Sequence, residues 1–226
     1  MLKEFFSQTA LNLVLAAIPP LCGHFLGRTP PGRLRAGTLV LGVVWLVFLP
    51  NTTYLVTEWR HFLFDEPFTT WRAGGQADRT GMFMTAVAGV LYAGYTLLGA
   101  LTFTLALRPV ERRLRARGVR LFPWAPILFF LVSLGVYVGL FDRLSSWDVV
   151  NPGRVLACGL GALSRPLGLL GITAFAVILW LAYVTIGYAL DGYAAAWRRR
   201  RASRRQTSTT SAASPTPPRT PPAIRE

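Results

Sequence analysis

Charged residues are scarce in this chain of 226 residues: Asp, Glu, Lys and Arg make up 15% of it, against about 25% in soluble domains. Cysteine is scarcer still, and the two cysteines form neither a Cys-x-x-Cys nor a zinc-type spacing. The chain also lacks a glycine-rich phosphate loop, a Gly-x-Ser-x-Gly motif and a His-Glu-x-x-His motif. These absences argue against a soluble domain and remove the usual signs of nucleotide, hydrolase or zinc-protease chemistry.

The chain is instead rich in long stretches without charge, and hydrophobic residues make up 52% of it. Five such stretches are long enough to cross a hydrocarbon core of about 30 Å as helices. They cover residues 5–27, 36–57, 82–107, 121–141 and 166–190. The sequence therefore predicts an all-α, polytopic transmembrane bundle of about five spanning helices over residues 1–197. Residues 198–226 are rich in Arg, Ser, Thr and Pro and poor in apolar residues, which predicts a disordered basic tail.

Basic residues are concentrated on alternate loops. The loop after the first span, the loop after the third span and the tail hold most of the arginines, whereas most carboxylates lie on the other side. By the positive-inside rule, the amino terminus is outside and the carboxyl terminus cytoplasmic, as in a multi-pass protein of the bacterial cytoplasmic (inner) membrane.

The net charge of +14 is therefore interpreted as a topology signal and not as a nucleic-acid interface. The expected partner is the lipid bilayer, with anionic headgroups at the basic inner loop, residues 109–118, and at the tail. A homo-oligomer is left open, and no nucleic acid is expected.

The second span changes character at Pro50. Its apolar run, residues 36–49, has fourteen residues, short of the roughly 20 that a bilayer needs. The helix must therefore carry Pro50 and the polar residues after it into the membrane, where polar groups are costly and often functional. The polar residues with spacings of 3, 4 and 3 share one helical face, which Thr57 borders. They are Asn51, Tyr54, Glu58 and His61, which together are called the polar stripe.

A second polar cluster, residues 142–148, closes the fourth span on the same predicted side and includes Ser146, Trp147 and Asp148. Asn12 of the first span can join the two clusters at that side. Small residues at the spacing of four, Gly135 with Gly139 in the fourth span and Gly89 with Ala93 in the third, are typical of close helix contacts.

Together these motifs resemble a bacterial membrane-protein family known as domain of unknown function 1361. The resemblance covers about residues 36–190 and rests on the run 48–61, the Gly135 to Gly139 segment and the run 145–148. The family shows Leu-Pro-Asn-x-x-Tyr-x-x-Thr-Asp-x-x-His and a later Asn-Ser-Trp-Asp. This chain departs from it at four positions, where it has Thr53 for Pro, Glu58 for Asp, Leu140 for Arg and Ser145 for Asn. The resemblance implies a polytopic membrane architecture and no known activity.

Four interpretations of the polar residues stay open. Glu58 and His61 have a Glu-x-x-His spacing, to which Asp148 would add a third metal ligand. His61 as a general base, oriented by Glu58 or Asp148, would suit a membrane-embedded enzyme. The stripe would also suit the outer vestibule of a transport path, although no internal repeat supports a transporter. Finally, the residues would form a purely structural network between helices, joined by Arg143.

The structural interpretation comes first among these four. Binding or passage of a small polar ligand or ion is the sharpest functional hypothesis, and an enzyme is its rival. No cofactor is predicted.

Overall fold

The computed structural model describes residues 2–29, 36–64, 79–119, 123–144, 148 and 150–212, with side chains described from residue 11 to residue 201 except at 60, 61 and 64. Within these ranges the secondary structure is helical and no strand is present. The helices are α1 (Leu2–Arg28), α2 (Ala36–Thr57), α3 (Trp59–Phe64), α4 (Arg79–Ala116), α5 (Ala125–Phe141), α6 (Pro152–Ser164) and α7 (Pro166–Ala212).

Membrane-spanning length and composition are confirmed for three helices: Ala36–Thr57, Arg79–Ala116 and the Pro166–Arg201 part of α7. Helix α5 is also apolar but has 17 residues. Large apolar side chains are exposed along these helices, among them Val90 at 71% and Leu170 at 66%. A soluble protein would bury such surface, whereas lipid solvates it.

Four of the predicted spans fall within helices, and the predicted bounds 36–57 match α2. The fourth span was predicted from residue 121, whereas its helix, α5, begins at Ala125. Helix α4 runs beyond the predicted end at residue 107 to Ala116. Most of the basic segment predicted as an inner loop is thus a continuation of the helix, because Arg, Glu, Leu and Ala are good helix formers.

Helix α6 lies between the predicted fourth and fifth spans, where an external loop is expected from the sequence. Asn151 caps it, since its Oδ1 accepts a hydrogen bond from the Arg154 backbone N–H at 3.3 Å, and Pro152 begins the first turn. An Asn-Pro pair before an apolar segment is a helix-start signal, and it was available in the sequence.

The long helices α1, α2, α4, α5 and α7 alternate in direction. Each of these helices is antiparallel to the next one along the chain. Asn12 with Glu58 and Gly23 with Trp45 make α1 and α2 antiparallel. Trp45 with Ala106 and Leu55 with Gly99 do the same for α2 and α4. Phe129 with Tyr183 and Tyr137 with Gly168 do so for α5 and α7. A further two pairs, Pro50 with Gly135 and Tyr54 with Gly139, make α2 and α5 parallel.

The chain divides into two compact units, residues 1–186 and 187–226. The first unit contains the core, centred on Phe103 and Phe129, whose rings lie 5.5 Å apart. The described part of the second unit is helix, since α7 continues to Ala212 through the arginine-rich segment. Within it the Arg201 guanidinium stacks 3.8 Å from the centre of the Trp197 ring. For residues 213–226, which lie outside the described ranges, disorder stays a prediction.

The close contact between α2 and α5 generates the first testable prediction. Gly139→Ala should lower stability by about 1–3 kcal/mol, because a Cβ at this position would lie 2.6 Å from Tyr54 Cζ. Gly94→Ala in α4 is the matched control, since nothing lies within 4 Å of its Cβ position. Thermal unfolding of the purified protein in detergent measures both, and equal midpoints for the two variants would contradict the contact.

Candidate functional site

The predicted polar stripe lies where α2 meets α5. Pro50 packs on Gly135, whose Cβ position is 2.9 Å from Pro50 Cγ, and the Tyr54 phenol covers Gly139. The Tyr54 hydroxyl donates a long hydrogen bond of 3.5 Å to the Gly135 carbonyl. The small residues of α5 are therefore used inside the bundle, where they let α2 approach closely.

Threonines near Pro50 bond to their own helix and not across the bundle. Thr52 donates to the Leu49 carbonyl at 2.7 Å, Thr53 donates to the Pro50 carbonyl at 2.8 Å, and Thr57 donates to the Tyr54 carbonyl at 2.8 Å. Such local bonds satisfy hydroxyls in an apolar setting without a partner helix. Thr52 and Thr53 are fully buried.

A cavity of about 710 Å³ adjoins the polar stripe. Its walls come from α1, α2, α5, α6 and the segment just after α5, all within the first unit. The polar side chains in its described lining are Asn12, Asn51, Tyr54 and Arg143, and the other lining residues are aliphatic, proline or glycine. Asn51 and Tyr54 of the predicted stripe thus share one cavity wall.

The cavity is polar at one end and apolar at the other. Because α2 and α5 are parallel, Tyr54 and Arg143 lie toward the same end, and Leu46 and Leu131 lie toward the opposite end. Leu46 precedes Tyr54 by eight residues, which is about 12 Å along a helix. The lining therefore suits a molecule with a polar end and an apolar end.

Glu58 lies at the turn between α2 and α3, so the predicted stripe is not one continuous helix. Its Oε1 accepts a hydrogen bond of 3.2 Å from Asn12 Nδ2, which ties the end of α2 to α1. Asn12 also lines the cavity, so it connects this carboxylate to the cavity wall.

The second predicted cluster is only partly described. Asp148 forms an ion pair of 3.0 Å with Arg154 near the start of α6. Ser146 and Trp147 lie outside the described residues, as does the side chain of His61, whose backbone belongs to α3. No group of three His, Cys, Asp or Glu residues able to hold a metal occurs in the part that is described. A site using His61 therefore stays a prediction.

Two parts of the cavity lining were not predicted from the sequence. Val155 and Gly159 line the cavity from α6, which was not predicted as a helix. Arg143 also lines the cavity, whereas the sequence suggested for it only a place in a salt-bridge network. The backbone of Arg143 has φ +53°, which few residues other than glycine adopt. No sequence signal pointed to that conformation.

A separate polar contact lies at the basic end of α4. Tyr183 of α7 donates a hydrogen bond to the Glu111 carboxylate, which also pairs with Arg115 at 2.5 Å. Arg113 donates to the Leu26 carbonyl at the end of α1. These bonds join three helices at the end of the first unit opposite Glu58. In the sequence, the feature that could have indicated these bonds is Glu111, an isolated Glu in a run of arginines.

Comparison with known proteins supports the resemblance read from the motifs. A family model described as "Protein of unknown function (DUF1361)" matches residues 11–184. This match includes the polar stripe, the cavity lining and the residues that set the helix directions. No curated protein and no solved structure matches the chain.

A double-mutant cycle tests whether Asn12 and Glu58 interact as the structure shows. Asn12→Ala and Glu58→Ala should each lower the free energy of unfolding, and together they should cost about 1 kcal/mol less than their sum, because the hydrogen bond is lost only once. Thr173→Ala with Glu58→Ala serves as a control pair, since the Thr173 hydroxyl is exposed and bonds to the Leu169 carbonyl of its own helix. Additive effects for Asn12 and Glu58 would exclude the interaction.

Proposed function

Because the chain belongs to the DUF1361 family of proteins of unknown function, we propose a function from its own geometry. It is a five-span membrane protein that binds a small polar or amphipathic molecule in the cavity between α1, α2, α5 and α6. The proposal includes the polar residues that the sequence singled out, Asn51 and Tyr54, as ligand-contacting groups.

Alternating helix directions support the five-span arrangement. Helix α1 has 27 residues, enough for a bilayer. Helix α5 has 17 residues, or about 26 Å, which is slightly short and calls for local thinning or flanking residues at the interface. With the basic end of α4 on the cytoplasmic side, the cavity's polar end faces the outside of a bacterial inner membrane.

The cavity itself is the observation on which the binding proposal rests. Its volume of about 710 Å³ falls within the roughly 300–1,000 Å³ typical of small-molecule sites. Asn51 is only 8% exposed and Tyr54 contacts α5, so both side chains also pack between helices. Each of them nevertheless lines the cavity, next to a second amide, that of Asn12.

The residues around the cavity favour binding of a ligand over its passage across the membrane and over catalysis. The described core cluster that contains Leu49, Phe103 and Phe129, exposed at 0%, 1% and 2%, is apolar and offers no polar lining to a passing ion. The polar groups of the described lining are two amides, a phenol and a guanidinium. Amides and a guanidinium bind a ligand through hydrogen bonds but do not exchange protons near neutral pH.

An enzyme using His61 with Glu58 is the second candidate function. It is favoured by the hydrogen bond that holds Glu58 beside the cavity wall.

Filling the cavity tests the proposal. Gly159→Phe adds a ring to the cavity wall without a backbone clash, because the nearest atom to its Cβ position is Leu134 Cδ2 at 4.0 Å. Gly161→Phe on the same helix is the control, since it does not line the cavity and nothing lies within 4 Å of its Cβ position. Protein purified in a mild detergent is analysed by native mass spectrometry for co-purified small molecules.

Wild type and Gly161→Phe should retain the same bound molecule, and Gly159→Phe should lose it. Retention by all three proteins at equal occupancy would place the molecule elsewhere. A wild-type protein free of any bound molecule, and unable to take one up from a membrane extract, would contradict the proposed function.

A further inference from the structure

The bound molecule can be specified by chemistry. We propose that the cavity binds an anionic lipid or lipid-like amphiphile from the bilayer, with Arg143 contacting the headgroup and the acyl chain lying along Leu46 and Leu131. This inference rests on the proposed function and deepens it. It follows from three features of the lining: its charge, the backbone at Arg143 and the exposure of its leucines.

The charge of the lining is positive. Arg143 is its charged residue among those described, and the remaining polar groups, Asn12, Asn51 and Tyr54, are neutral hydrogen-bonding groups. Asp142, adjacent in sequence, does not line the cavity, and Asp148 pairs with Arg154. An exposed guanidinium with no carboxylate lining the same space attracts an anion, and phosphate or carboxylate oxygens match its fork of N–H donors.

The backbone at Arg143 points to the same role. Helix α5 ends at Phe141, and the Asp142 N–H bonds to the Val138 carbonyl at 2.9 Å. The next residue has φ +53°. Glycine or asparagine normally occupies this left-handed position after a helix, because in other residues the Cβ atom lies too close to the following carbonyl oxygen. A residue other than glycine in such an unfavourable conformation beside a cavity is typical of a functional site, where the side chain has a role.

The leucines show that the cavity opens sideways. Leu46 and Leu131 line it and are exposed at 45% and 50%. They belong to two different helices, α2 and α5, and lie toward the apolar end. On a membrane helix such exposed aliphatic surface contacts acyl chains. A lipid tail can therefore lie on these leucines while its headgroup meets Arg143, whereas a small hydrophilic ion would leave this wall without a partner.

Lipid titration tests the assignment. Protein in dodecyl maltoside is titrated with dioleoyl phosphatidylglycerol or with dioleoyl phosphatidylcholine, and bound lipid is counted by native mass spectrometry. Wild type should bind the anionic lipid roughly tenfold more tightly, as expected for one additional charge-assisted contact. Arg143→Gln should remove this preference and keep the binding of the neutral lipid, whereas Arg143→Lys should retain most of the preference.

Arg165→Gln, at the exposed end of α6 and outside the cavity lining, is the matched control and should behave as wild type. Gly159→Phe should lose both lipids. Equal binding of the two lipids by wild type, with both lost in Gly159→Phe, would overturn the anionic assignment and leave the cavity as a binding site.

An anionic preference that Arg143→Gln leaves unchanged would likewise overturn the role of Arg143. Competition by millimolar inorganic phosphate would assign the site to a free anion and not to a lipid. Failure of wild type to bind either lipid, together with no co-purified molecule, would overturn the proposed function as well.

Discussion

Close approach of α2 and α5 is the contact on which the site depends. A prolyl ring and a phenol of α2 lie on Gly135 and Gly139, and any side chain at these glycines would push the helices apart. In lipid this contact gains little from the hydrophobic effect, since acyl chains are as apolar as leucine, so packing and small residues decide it. Once α2 is held there, Asn51 and Tyr54 border the space between α2 and α5, and α1 and α6 complete its walls.

Hydrogen bonds at both ends of the first unit hold the arrangement in register. At one end Asn12 donates to Glu58 across α1 and α2. Farther along α2, Trp45 Nε1 donates to the Ala106 carbonyl at 3.0 Å, which fixes α2 against α4. At the opposite end Tyr183 donates to Glu111. Each of these polar groups would be costly if left unpaired in an apolar medium, so each one discourages sliding of one helix along another.

The threonines after Pro50 show why a polar run does not mean a polar surface. Three hydroxyls bond to carbonyls of their own helix, so Thr52, Thr53 and Thr57 can be buried at low cost. Asn51 and Tyr54 are three residues apart and share the helical face that lines the cavity. Thr52 and Thr53, between them, are fully buried and do not line it.

Much of the fold could be predicted from the sequence, because charge-free stretches of membrane length have few alternatives to a helix. The bounds of α2 and the polar face after Pro50 follow from composition and from the helical period. The break at Glu58, the pairing of Asp148 with Arg154 and the helix at Pro152–Ser164 did not follow. They depend on contacts between segments distant in sequence or on a short cap signal. The left-handed backbone of Arg143 was likewise invisible, since no local pattern requires it.

Cysteine accessibility tests the central claim most directly: that the stripe on α2 borders an open cavity and does not merely fasten helices together. In a background with Cys22 and Cys158 replaced by serine, cysteines are placed at positions 51 to 54 and exposed to a small, membrane-impermeant thiol reagent. The account predicts labelling of Asn51→Cys and Tyr54→Cys, which border the cavity, and protection of Thr52→Cys and Thr53→Cys, which are 0% exposed. Equal protection at all four positions in the folded protein would show that the stripe is sealed between helices and would contradict the account.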